Sequence, residues 1–147
     1  MKAKEYLEQV TLLNEKINQK QLQYNELIQT ATSTAAVMYD KEKVQTSISS
    51  DKMSNIVSKY IDLQNEINYD IDCLIKLRNK IINEIQTLSN VKFIKILFMR
   101  YIQDKRLEEI AVELNYSYQY VRRLHGYALQ SFTEKYPELF EKEKATK

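Results

Sequence analysis

The stretch LEEIAVELNYSYQYVRRLHGYAL, from Leu107 to Leu129, decides how this chain folds. Counted from Leu107, the residues Ile110, Ala111, Leu114, Val121 and Leu124 take positions four, five, eight, fifteen and eighteen. Those are the positions at which two short helices joined by a turn share a small core. Ala111 stands where the second helix crosses the first, and only a small side chain lets the backbones approach. Asn115 takes position nine, the turn, where φ is usually positive. Glycine is the usual residue there, and Asn enters the left-handed region more readily than other non-glycine residues. Ser117 follows as an N-cap for the second helix. An ordinary helical hairpin inside a bundle is the competing account of this pattern.

The second helix has two distinct faces. At 100° per residue, Val121, Leu124, Ala128 and Phe132 form an inward stripe, whereas Gln119, Arg122, Arg123, Gly126 and Gln130 lie opposite. A glycine in mid-helix costs about 1 kcal/mol against alanine. On the outward face its missing side chain lets another surface, a phosphate strand or a protein chain, come close. No acidic residue occurs between Leu114 and Thr133, although the whole chain carries 20 Asp and Glu. Acid repels phosphate, so the gap suits a helix that enters a DNA groove. Ser117, Tyr118, Gln119, Arg122, Arg123 and Gly126 are therefore expected to face DNA, with Gln119 and the arginines supplying the groups used on base edges. Lys105 and Arg106, at the start of the first motif helix, are expected to hold phosphates.

These residues carry a family resemblance. The segment from Leu97 to Phe132 resembles region four of bacterial primary sigma factors, the helix-turn-helix that reads the −35 promoter element. The shared frame is Arg100-Tyr101, then Leu107-Glu108-Glu109-Ile110-Ala111, then Ser117, Val121 and Ala128-Leu129. Sigma factors usually carry glycine where this chain has Asn115, and charged residues where it has Tyr118 and Gln119, so no base preference carries across. The whole chain is similar to small RinA-like, sigma-like regulators encoded by phages and prophages of low-GC Gram-positive bacteria. The opening AKEYLEQVTLLNEKIN, the middle VQTSISSDKM, the run IDLQNEIN and the closing NYSYQYVRRLHGYAL carry that likeness. It implies control of phage gene transcription in the host cytoplasm, together with RNA polymerase or its sigma factor. Glu108 and Glu109 are the residues nominated for polymerase contact.

Composition bounds the remainder. With 147 residues, one glycine and one proline, little punctuates strands or hairpins, and an all-α chain is the default. Net charge is only +2. Residues 1–90 hold 11 Lys and Arg against 12 Asp and Glu, while residues 91–147 hold 11 against 8. The basic excess thus coincides with the motif. No apolar run approaches twenty residues, which argues against membrane spanning or secretion. Cys73 is the only cysteine and forms no intrachain disulfide, which suits a cytoplasm.

Upstream, residues 3–38 place Tyr6, Val10, Leu13, Ile17, Tyr24, Leu27, Ala31 and Met38 on a heptad seam interrupted by Lys20 and Thr34. Residues 40–51 lose that period and are expected to form a loop. Residues 52–89 resume it with Met53, Val57, Tyr60, Ile67, Ile71, Leu74, Ile81, Ile85 and Leu88, broken by Gln64 and Arg78. The expected organisation is a coiled-coil-like helical hairpin stalk over 1–89, a sigma-region-four-like helix-turn-helix domain over 90–136 and a tail over 137–147. Ile56, Ile61, Leu63, Ile75, Leu77 and Ile82 widen the second stripe beyond what one partner helix covers. A homodimer through Val57, Tyr60, Ile67, Ile71, Leu74, Ile81 and Ile85 would cover it. A monomer whose hairpin folds back onto residues 91–103 is the alternative.

Other side chains suggest chemistry less well. His125, the only histidine, lies near the inner flank of the second motif helix, as a phosphate contact or a partly buried structural residue. With Cys73 alone it makes no metal site, since such sites need three or four ligands. Cys73 reads as a small core residue. Asp62, Glu66, Asp70 and Asp72 read as a solvated helix face rather than paired catalytic carboxylates. No phosphate-binding glycine loop or nucleophile motif occurs, so neither an enzyme nor a cofactor is expected. The expected function is a sequence-specific DNA-binding regulator that activates phage genes. The alternative is a helical adaptor or a small-terminase-like DNA-packaging subunit, although such subunits more often carry the DNA-binding module first.

Overall fold

The computed structural model describes the backbone of residues 1–40 and 47–140, and the side chains of residues 1–33 and 51–140. Among the described residues every regular element is helical, so the chain is all-α. Helix α1 covers Ala3–Asp40 and α2 covers Ser47–Gln86. Three shorter helices follow: α3 (Val91–Leu97), α4 (Leu107–Leu114) and α5 (Tyr118–Lys135). A π-helical segment, Phe98–Ile102, continues α3, and a 3-10 turn at Pro137–Leu139 follows α5. No helix among the described residues is long and apolar enough to cross a membrane.

Part of the segment expected as a loop over residues 40–51 is helical. Residues 41–46 lie outside the described residues, but Ser47–Asp51 already belong to α2. Serine lowers helix propensity by only a few tenths of a kcal/mol, too little to delay a helix of 40 residues.

The chain divides into two compact units, Met1–Leu13 with the chain from Leu74 onward, and Asn14–Cys73. Both limits between the units fall inside the long helices, after Leu13 of α1 and after Cys73 of α2. The reason lies in the core of the first unit. There Leu7 and Val10 of α1 and Ile81 and Ile85 of α2 are buried in one cluster with Leu97, Tyr101, Ala128 and Phe132. Each fully buried side chain of this size contributes about 1.5–3 kcal/mol. Tyr6 adds a polar tie, its hydroxyl lying 2.8 and 3.0 Å from the two carboxylate oxygens of Glu84. Burial and that carboxylate push the Tyr6 phenol well above its ordinary range. Leu139 and Phe140 also pack against this cluster, so the start of the expected tail belongs to the core. Residues 141–147 lie outside the described residues.

In the second unit, later residues of α1 meet earlier residues of α2, which makes the two segments antiparallel. Tyr24 and Tyr60 meet edge to face with ring centroids 6.2 Å apart. Lys20 donates to Asp70 at 2.5 Å and has Glu66 at 3.7 Å. Lys20, expected as a break in the seam, is thus its polar cross-link, and Asp70 raises its pKa above the ordinary lysine range. Glu66 and Asp70 are correspondingly engaged rather than merely solvated. Asp62 and Asp72 remain exposed.

The residues nominated for dimerisation fall into two groups. Ile67, Ile81 and Ile85 are at most 1% exposed within a single chain, and Leu74 packs against its core. All four are thus covered within one chain; for Leu74, Ile81 and Ile85 the cover is the cluster with Leu7, Val10, Leu97 and Phe132. Val57 and Tyr60 are half-buried, and Ile71 is exposed together with its neighbours Ile61 and Ile75.

The π-helical segment resolves a packing conflict. Leu97, Tyr101 and Ile102 belong to the large core, whereas Ile96 and Met99 belong to a second cluster beneath α4 and α5. The wider turn lets five buried residues within seven serve two cores. It ends with Gln103 N–H donating to Phe98 O at 3.1 Å, and the chain reverses through Asp104 at φ 55°.

Candidate nucleic-acid interface

Helices α4 and α5 share the small core that their spacing predicted. Ile110, Ala111, Val121 and Leu124 are buried together with Ile96 and Met99, and Leu114 packs against them. Asn115 adopts φ 61° and ψ 42°, the left-handed conformation that the turn requires. Tyr116 N–H then donates to Ala111 O at 2.9 Å and Asn115 N–H to Val112 O at 3.3 Å. These are the two reversed bonds that close a helix through a left-handed residue. Ser117 caps α5, its Oγ accepting from Tyr120 N–H at 3.2 Å.

The inward stripe of α5, Val121, Leu124, Ala128 and Phe132, is buried throughout. Gln119, Arg122, Arg123, Gly126 and Gln130 are all exposed, as are Ser117 and Tyr118. Arg122 places its guanidinium 5.8 Å from the centroid of the Tyr118 ring. Neither Arg122 nor Arg123 has a carboxylate partner among the described residues. A Cβ built on Gly126 meets nothing within 4 Å, so nothing among the described residues accounts for a glycine there. The face is cationic, uncompensated and open.

The two expected phosphate anchors stand differently. Lys105 is ion-paired with Glu113, and Arg106 Nε lies 3.1 Å from Glu109 Oε1. Each charge is already met by a carboxylate of α4, so neither offers the bare cation that the sequence led one to expect. The same pairing occupies Glu109, one of the two glutamates nominated for polymerase contact.

His125 is half-buried and resolves toward a structural role. Its Nε2 lies 2.7 Å from the Tyr101 hydroxyl, with the rings stacked at 5.7 Å between centroids. Burial, with Arg100 and Lys4 nearby, pushes its pKa from 6.5 down to about 4. Burial likewise pushes the Tyr101 phenol up to about 12, so at neutral pH the hydroxyl donates to a neutral imidazole. Between pH 6.5 and about 4 the unfolded chain takes up a proton that folded His125 refuses. Stability therefore falls as the pH drops through that window, by about 1–2 kcal/mol after discounting for solvent screening. Urea unfolding at pH 7 and pH 4 should find this acid loss smaller by that amount in His125→Gln. Equal acid losses in both proteins would mean that the imidazole is free to protonate in the fold.

Sequence periodicity missed Lys92 and its setting. Lys92 Nζ lies 3.1 Å from the Tyr120 hydroxyl, on the flank of the first turn of α5. Contact between separate helices leaves no trace in the spacing of either one. Cys73 is half-buried, and no cluster of three or more metal-ligating side chains occurs among the described residues. The chain matches no protein-family model, no curated protein and no solved structure.

Proposed function

We propose that this chain is a sequence-specific double-stranded DNA-binding protein that regulates transcription, with α4, the Asn115 turn and α5 forming a helix-turn-helix. One observation carries the reading. The outward face of α5 presents Gln119, Arg122 and Arg123 without a carboxylate partner among the described residues, beside an exposed glycine and opposite a buried stripe. A helix of 10–12 Å diameter fits the major groove, about 12 Å wide, and these are the side chains that pair with base edges there. The likeness of Leu97–Phe132 to sigma region four adds the transcriptional part: activation of phage genes beside host RNA polymerase. A homodimer presenting two α5 helices belongs to the same reading, and the exposed Ile61, Ile71 and Ile75 are its candidate contacts.

Selection of bound duplexes from random DNA tests the reading, and a single recurrent motif is the expected outcome. Gly126→Ala sharpens the test. An added methyl has open space and should raise stability by up to about 1 kcal/mol, because alanine is the better helix former. The same methyl should weaken binding to the selected duplex if the groove closes over this face. Failure to retain any duplex at low salt would overturn the assignment. Enrichment of a packaging-gene site with no effect on a promoter reporter would leave DNA binding standing and remove regulation.

A further inference from the structure

We propose that Lys92, carried by α3 rather than by either helix of the motif, holds a phosphate of the bound duplex, and that Tyr116 and Tyr120 hold Lys92 in place for it. The inference rests on the double-stranded DNA reading above and names a contact outside the motif. Lys92 is exposed, yet its ammonium is held by two tyrosines. It donates to the Tyr120 hydroxyl at 3.1 Å and lies 5.7 and 5.9 Å from the Tyr120 and Tyr116 ring centroids. The two rings meet edge to face at 5.1 Å, so each braces the other. No carboxylate pairs with Lys92 among the described residues.

Position and chemistry then agree. On α5, Val121 and Leu124 point inward and Gln119 and Arg123 outward, which leaves Tyr120 on the flank between them. A helix lying in the major groove turns its outer face to the bases and its flanks to the phosphate walls. A cation held against Tyr120 therefore meets a strand rather than a base. Lys92 spends one of its three N–H donors on the tyrosine and keeps two for an anion. The Tyr120 hydroxyl accepts from Lys92, so its own proton remains available to the same phosphate. A free lysine loses much rotamer freedom when it binds, and aromatic bracing meets part of that cost before the DNA arrives. Lys105 and Arg106 lack this arrangement, because Glu113 and Glu109 already occupy them.

The test is a salt titration of the full chain on its selected duplex and on a random duplex, followed by fluorescence anisotropy. Lys92→Gln should weaken both duplexes by the same factor, about eightfold at 0.1 M salt, and flatten the plot of log affinity against log salt by about 0.9. Lys92→Arg should restore most of the affinity and the slope. Tyr120→Phe should give a smaller loss, equal on both duplexes, and Lys105→Gln should change affinity less than twofold. Thermal melts of the two Lys92 variants should match the parent, since Lys92 is exposed. An unchanged slope for Lys92→Gln, or a loss confined to the selected duplex, would overturn the proposal while the parent's binding upheld the DNA reading. A parent that binds no duplex would overturn both.

Discussion

Arg123→Ala should lower affinity for the best duplex site by about 1–3 kcal/mol, roughly 5- to 150-fold, and affinity for random duplex far less. Arg123 leaves the outward face of α5 within the first two turns after the N-cap, where a recognition helix meets base edges. It is exposed and has no carboxylate partner among the described residues, so the variant should melt like the parent. Gln119→Ala should act in the same direction. Arg122 differs, because its guanidinium lies over Tyr118, 5.8 Å from the ring centroid. An arginine stacked on an aromatic face is held in one direction before binding, so Tyr118→Ala should loosen Arg122 as well as remove a groove contact. Competition of the selected duplex against random duplex measures the effect. Equal losses on both would make Arg123 a phosphate contact and return base discrimination to Gln119 and Tyr118.

The legible part of this chain was what local chemistry determines. Asn115 in the left-handed turn, Ser117 at the cap and the inward stripe of α5 follow from residue type and a 100° step, and the structure has each of them. Features that depend on which helices meet were not legible. Ile67, Ile81 and Ile85 read as a seam awaiting a second chain, because a heptad pattern records that a stripe is buried but not by what. Lys105 and Arg106 read as free cations because a pairing such as Lys105 with Glu113, eight residues apart, depends on the shape of the turn before α4. Lys92 went unnoticed since its partner Tyr120 lies 28 residues away on another helix. The π-helical turn at Phe98–Ile102 was equally hidden, for FMRYI carries no helix breaker and the extra width answers to two cores at once.

The same distinction gives a test that separates the chain's own core from any contact between chains. Ile81→Asp should unfold the first unit, with a loss of more than about 4 kcal/mol. It removes a fully buried side chain and buries a carboxylate in an apolar cluster. That outcome is independent of protein concentration, because the cluster of Leu7, Val10, Ile81, Ile85 and Phe132 is complete within one chain. Ile71→Asp should behave otherwise. Ile71 is 38% exposed, so the charge reaches water and a lone chain should lose little. If two chains associate through the exposed stripe of Ile61, Ile71 and Ile75, Ile71→Asp should yield folded monomers in sedimentation. It should also abolish the rise of the melting temperature with concentration that a dimer requires. Affinity for a two-half-site duplex should then fall to that for a half-site, even though every residue of α5 is intact. A parent chain that sediments as a monomer, with a melting temperature that ignores concentration, would remove the dimer from the reading. Arg123 and Lys92 would then meet DNA once per site, and the selected motif should lack twofold symmetry.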